Sequence, residues 1–121
     1  MASVLTVDDS PSIRQAIKIA LAGEGYSVAE AGDGAEGLAK AGGGGFDLII
    51  TDLNMPVMDG LTMIRQLRTK PAGTGVPILF LTTESDADIK AQAKAAGATG
   101  WLTKPFDPQQ LVRIVKKVLA A

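Results

Sequence analysis

The chain has neither cysteine nor histidine, and those two absences remove much of the chemistry open to a small domain. Without cysteine there is no disulfide framework, no thiolate nucleophile and no thiolate metal site. Without histidine there is no imidazole base and no zinc site of the usual nitrogen or sulfur type. Any metal would have to be a hard, oxygen-seeking cation such as Mg²⁺ or Ca²⁺. Any nucleophile would have to be a carboxylate, a hydroxyl or a lysine. The sequence also lacks an apolar run approaching the roughly 20 residues that span a bilayer. Its N-terminus has no charged segment leading into a hydrophobic one, so no signal peptide is expected. A net charge of -1 gives no pull toward nucleic acid or anionic lipid. The expectation is a cytoplasmic protein with neither nucleic acid nor membrane as a partner.

What is present reads as one domain over residues 1–121, with 46% hydrophobic and 21% charged residues. Val4 to Val7 is a short apolar run, read as a buried strand. Ser10 and Pro11 then mark a helix start, serine as N-cap and proline at N1. Ile13, Ala16, Ile17, Ala20 and Leu21 follow at helical spacing until Gly23 and Gly25. Tyr26, Val28 and Glu30 alternate as in an edge strand with one wet face. Gly32-Asp33-Gly34 is a turn before a short helix marked by Ala35, Leu38 and Ala39, and Gly42 to Gly45 is a flexible connection. Phe46 to Thr51 is apolar almost throughout and is therefore read as the central strand.

Asp59 is placed to cap a helix carrying Leu61, Ile64, Leu67 and Arg68, ending near Lys70-Pro71. Pro77 opens a strand over Ile78 to Leu81, and Ser85 or Asp86 can cap the helix after it. That helix is rich in alanine and lysine, with Ile89 and Ala93 as a thin apolar stripe, so loose anchoring is expected. Gly97 ends it, Gly100 to Thr103 is a last strand, and Pro108 starts a helix with Leu111, Ile114, Val115, Val118 and Leu119 at helical spacing. Five strands alternating with five helices imply an α/β fold, a parallel sheet covered on both faces. Ligands of such sheets bind beyond the carboxyl ends of the strands. Asp8-Asp9, Asp52, Thr82-Thr83 and Lys104 all follow strands, so they are expected on that one edge.

Three carboxylates on one partly buried edge repel, by about 4 kcal/mol for unit charges about 4 Å apart at an effective dielectric near 20. Protons, a cation or hydrogen-bond donors must offset this, and Mg²⁺ suits the donor set. Lys104 adds a fixed positive charge, and Thr82 or Thr83 a hydroxyl. Together these groups suggest phosphoryl transfer, where positioning and charge neutralisation are most of the catalysis. Asp52 would be the attacking carboxylate, giving an acyl phosphate, and Asp9, with Asp8 behind it, would hold the metal. Taken singly, Asp9 and Ser10 read as helix caps, Lys104 as a surface charge and Thr82 as a strand residue. Their convergence on one edge is what argues otherwise.

Val7-Asp8-Asp9-Ser10, Asp52-Leu53-Asn54-Met55-Pro56-Val57-Met58-Asp59-Gly60, Leu81-Thr82-Thr83-Glu84 and Lys104-Pro105-Phe106 stand in order along the chain. With Gly97-Ala98-Thr99-Gly100-Trp101 they make it resemble the receiver domain of two-component response regulators, above all the CheY-like single-domain chemotaxis type. The resemblance covers the whole chain. It implies a (βα)5 doubly wound, flavodoxin-like sheet of order 2-1-3-4-5. It implies Asp52 as phosphoacceptor, and Mg²⁺ held by Asp9, Asp52 and the backbone carbonyl of Asn54, with Asp8 acting through water. Thr82 would hydrogen-bond the phosphoryl group, Lys104 would pair with it, and the Lys104-Pro105 bond would be cis.

In the same family a threonine and an aromatic form the switch, here Thr82 and Trp101. Tryptophan is bulkier than the more usual tyrosine or phenylalanine and accepts no hydrogen bond. The plain alternative is an edge-strand aromatic covering the last two helices. Asn54 and Glu84 occupy the positions that tune water attack on the acyl phosphate, and Thr83 stands where small residues are usual.

The resemblance implies a CheA-like histidine kinase as phosphodonor, and this chain, lacking histidine, can only receive. It implies the flagellar motor switch as target and a phosphatase as a further partner, with a monomeric chain and no turnover of an external substrate. No output domain follows the last helix in this sequence. The output would then be a surface built from the fourth helix, the Trp101 strand and the last helix, including Lys90, Lys94 and Lys116. A phosphate sink or relay intermediate is the alternative. An aspartyl phosphatase of the haloacid dehalogenase class would need a general acid where Asn54 stands. A flavin carrier would meet repulsion from Asp8-Asp9.

Overall fold

The computed structural model describes residues 2–53, 55, 57–83 and 87–120. Five strands, β1 (Ser3–Val7), β2 (Ser27–Ala31), β3 (Leu48–Asp52), β4 (Ile78–Thr82) and β5 (Gly100–Thr103), form one sheet of order β2-β1-β3-β4-β5. All four pairings are parallel. Helices α1 (Pro11–Ala22), α2 (Gly34–Gly42), α3 (Gly60–Leu67) and α4 (Ala87–Ala95) connect the strands, and α5 (Pro108–Ala120) follows β5. The order reverses between β1 and β3, so the carboxyl ends of those two strands flank the crevice where a ligand is expected.

The two faces of the sheet bury separate clusters. Leu5, Ile49 and Phe80 pack with Met63, Ile64 and Leu67 of α3 and with Ala93 of α4. Val4, Ile50 and Leu79 pack on the other face with Ile17 and Leu21 of α1 and Leu111 and Val115 of α5. Every residue of β3 and β4 is buried, which is why their sequences read as unbroken apolar runs.

Element ends differ from the sequence reading by a residue or two, and each shift has a local cause. The third strand runs Leu48–Asp52, so Asp52 is its last paired residue, in register with Leu81. Gly42 is the last residue of α2, with Gly43 as its C-cap, so the flexible connection is shorter than four glycines. Gly44 and Gly45 take φ of 78° and 90°, a region that glycine enters without strain. A 3₁₀ turn at Pro71–Gly73, unmarked by any apolar period, follows α3. Ser10 and Asp59 cap α1 and α3 as expected, accepting from the Ile13 and Thr62 N–H groups. The candidate caps Ser85 and Asp86 lie outside the described residues.

Val57, between β3 and α3, has φ of 71° and is 82% exposed. A β-branched residue in this region is strained by about 1–3 kcal/mol. Asn tolerates that conformation, so Val57→Asn should raise the thermal midpoint by roughly 3–5 °C. Val57→Gly should gain less, because glycine loses more chain entropy on folding. A midpoint that falls in both variants would show that the valine side chain stabilises the loop.

Candidate functional site at the carboxyl edge of the sheet

Asp52 is 7% exposed at the end of the central strand. Its Oδ1 accepts the Leu53 N–H at 2.9 Å. Gly60, the first residue of α3, donates its N–H to the Leu53 carbonyl at 2.9 Å. A Cβ on Gly60 would stand 2.2 Å from the Asp52 carbonyl oxygen, so only glycine lets α3 start this close beneath the aspartate.

Asp8 is fully buried at the end of β1, where its N–H donates to the Ala31 carbonyl at 3.1 Å. Its Oδ1 accepts the Ser10 N–H at 2.9 Å, and its Oδ2 accepts from Lys104 Nζ at 3.0 Å. The same ammonium lies 3.2 Å from Asp52 Oδ1. Lys104 is anchored through its own N–H, which donates to the Thr82 carbonyl at 2.8 Å, and its side chain is 16% exposed. It is thus a half-buried counter-ion and not a surface charge. The peptide bond that follows it, Lys104-Pro105, is cis.

Asp9 is exposed, yet one carboxylate oxygen from each of Asp8, Asp9 and Asp52 falls within 4.8 Å of the others. Three carboxylates therefore face one ammonium. Burial pushes the Asp52 carboxyl above its ordinary range and the Asp8 charge adds to this, while Lys104 and the Leu53 N–H only partly restrain it. Burial disfavours the Lys104 ammonium, but the hydrogen bond to Asp8 and the charges of Asp52 and Asp8 outweigh that, holding its pKa above the ordinary lysine range. All donors here are hard oxygens, the local charge is in excess, and one carboxylate opens to solvent. A hard divalent cation fits this set.

Thr82, 4% exposed, ends β4 beside Asp52, and Thr83 beyond it is exposed. Trp101 stands on edge strand β5, 38% exposed, with Lys90 Nζ 5.0 Å from its ring centroid. It faces α4: the space it shares with Leu53, Phe80, Thr82, Ile89 and Ala93 has a volume of about 10 Å³. That holds about one water, far less than an indole. Lys94 is exposed on α4. Lys116 is drawn instead to Glu24 beyond α1, at 2.5 Å, so its charge belongs to the seam between α1 and α5. Asn54 and Glu84 lie outside the described residues.

Gly60 closes the Asp52–Gly60 motif read from sequence, whereas one further contributor was not singled out there. Arg14 reaches from α1 to the Asp8 carbonyl, and its one sequence signal is a cation near the start of a helix.

Comparison with known proteins gives the family of the chain. The model of the response regulator receiver domain covers residues 4–116. The transcriptional regulatory protein ResD of Bacillus subtilis is 38% identical over 116 residues, 96% of this chain and 47% of ResD. The chain spans about half the length of the first curated relatives it matches. Among solved structures, chemotaxis protein CheY4 of Vibrio cholerae is 49% identical with a TM-score of 0.93, covering 98% of each chain. Response regulator TrrA of Thermotoga maritima, solved with Mg²⁺ and BeF, is 35% identical with a TM-score of 0.86, covering 98% of this chain and 99% of the other. With its sheet order, its strand-end acidic cluster and a match along nearly its whole length, the chain belongs to the response regulator receiver family and has a CheY-like fold.

Proposed function

We propose that this chain is a stand-alone response regulator whose Asp52 accepts a phosphoryl group from a histidine kinase, most specifically in chemotaxis. The observation that carries the reading is the Asp52 carboxylate at the strand end, 3.2 Å from Lys104 and within 4.8 Å of Asp8 and Asp9. In the transfer, an Asp52 carboxylate oxygen forms a bond to phosphorus as the phosphorus–nitrogen bond of a phosphohistidine breaks. The imidazole leaves with the bonding pair and takes up a proton. Lys104 favours the anionic form of Asp52 before attack and is near enough to pair with a phosphoryl oxygen afterwards. Thr82 brings a hydroxyl to the same edge. Asp9 and Asp52 would hold Mg²⁺, with Asp8 acting through water and the Asn54 carbonyl as a further ligand. When bound, Mg²⁺ supplies the positive charge that neutralises phosphoryl oxygens in flight.

The chain would turn over no external substrate, catalysing only its own phosphorylation and dephosphorylation, with Asn54 and Glu84 setting the rate of the latter. The likeness to CheY4, a chemotaxis protein, supports a CheA-like kinase and a flagellar motor switch protein as partners, with a phosphatase as a third. The chain would be cytoplasmic and monomeric. Among the described residues no helix is long and apolar enough to cross a membrane. The output surface would be α4, β5 and α5. Since the space behind Trp101 is about 10 Å³, inward rotation of the indole requires α4 to move.

Incubation with acetyl phosphate and Mg²⁺ should load one phosphoryl group on the wild type and none on Asp52→Asn, by intact mass. Equal labelling of the two would remove Asp52 from its role. Phosphorylation should change the fluorescence of Trp101, and the phosphorylated chain should be retained by immobilised motor switch protein more than the unmodified one. Retention of neither form points to a phosphate sink or relay intermediate.

The raised Asp52 pKa has a sign that can be checked. Between the unfolded value near pH 4 and the higher native value, the folded chain binds more protons than the unfolded one, so stability falls as pH rises. Asp52→Asn lacks this group. Its melting point, measured without divalent cations, should exceed that of the wild type by a margin that widens as pH increases above about 4. A constant margin would refute the shift.

A further inference from the structure

Arg14 belongs to none of the roles above, yet its guanidinium spans two elements of the site. Its Nη1 donates to the Asp8 carbonyl at 2.5 Å, and its Nε donates to Glu30 Oε1 of β2 at 3.2 Å. Glu30 is itself flanked by Lys18, 3.7 Å away on α1, and its carbonyl accepts from Lys40. The carbonyl that Arg14 grips is half of the Asp8–Asp9 peptide group. On one side of that peptide, the Asp8 N–H is fixed to Ala31 and the Asp8 side chain to Ser10 and Lys104. On the other side stands Asp9, exposed, whose carboxylate must be aimed at those of Asp8 and Asp52.

The placement runs against local electrostatics. Arg14 is the fourth residue of α1, whose first turn has no acidic residue, and the positive end of a helix dipole disfavours a cation there. A surface ion pair with Glu30 contributes little by itself. The guanidinium is nevertheless drawn in, 19% exposed, with its planar fork divided between a carboxylate and a backbone carbonyl.

We infer that Arg14 is a positioning residue for the cation site: it fixes the Asp8–Asp9 peptide and so the direction of the Asp9 carboxylate, and Glu30 orients Arg14. The inference rests on the Mg²⁺ reading of the preceding subsection. It predicts a sign that simple electrostatics does not. Arg14 brings positive charge close to an acidic cluster, so its charge alone weakens cation binding, and removing it should tighten binding.

The test is calorimetric titration of the full chain with Mg²⁺, without phosphodonor, alongside thermal melts in chelator. Arg14→Gln should bind Mg²⁺ about tenfold more weakly than the wild type, in line with other partners that orient ligands. Arg14→Lys, which keeps charge but loses the fork, should remain severalfold weakened. Glu30→Gln should weaken binding less and add nothing to Arg14→Gln. Binding that is unchanged or tighter in Arg14→Gln overturns the inference while leaving the receiver reading intact. A wild type that binds no Mg²⁺ removes that reading and this inference with it. Should Arg14→Gln fail to fold, Arg14→Lys and Glu30→Gln decide the matter: wild-type affinity in both rejects the role.

Discussion

The site depends on one ammonium placed between two buried carboxylates. Lys104 lies 3.0 Å from Asp8 and 3.2 Å from Asp52, and Asp8 has no exposure to solvent. Separating partners of a buried pair typically costs about 3–5 kcal/mol, because the remaining charge is left uncompensated. Lys104 thus holds the carboxyl ends of β1, β3 and β5 in mutual register. It does so incompletely, since Asp9 brings a third carboxylate. The residual negative charge is what a cation would satisfy. It also makes this edge the place where the protein trades stability for function, as sites holding unbalanced charge commonly do.

The sequence made the strands legible because burial on both faces writes itself as an unbroken apolar run. Asp8, Asp52 and Lys104 could then be placed on one edge by counting, since each ends or follows such a run. The receiver motifs added roles to those positions. What stayed hidden has a common physical character. Periodicity reports which residues are buried, not which atoms they meet. Nothing in the α1 pattern says that Arg14 turns toward the Asp8 carbonyl, or that Gly60 starts α3 against the Asp52 carbonyl. Lys116 was grouped by sequence with the α4 surface, although its nearest carboxylate, Glu24, lies beyond α1. The 3₁₀ turn at Pro71–Gly73 is too short to show a period at all.

Arg68 is the clearest case of a polar residue whose work is invisible in sequence. It was read as part of the α3 stripe. Its guanidinium donates to three carbonyls, those of Gly73 and Val76 before β4 and Gly97 after α4, at 2.7, 2.6 and 2.6 Å. Burial pushes its pKa down, and among the described residues no carboxylate pairs with it. Carbonyl dipoles stabilise the charge instead. All three lie toward the amino ends of β4 and β5, the edge opposite Asp52.

That placement gives α4 an uneven anchorage. At its C-terminal end the Gly97 turn is held by Arg68, and Ala98 N–H donates to the Ala93 carbonyl at 2.9 Å. Along its length the helix buries only Ala93, whereas α5 buries Leu111 and Val115. Full burial of a leucine or valine stabilises by about 1.5–3 kcal/mol, and an alanine contributes far less. Displacing α4 therefore forfeits less apolar burial than displacing α5. Its N-terminal part lies on the side of Thr82 and Trp101, where the shared cavity has room for about one water. Under the proposed switch, an inward turn of Trp101 would require an outward shift of α4, with the Arg68 network at the fixed end. A tryptophan, bulkier than tyrosine or phenylalanine, would make that coupling tighter.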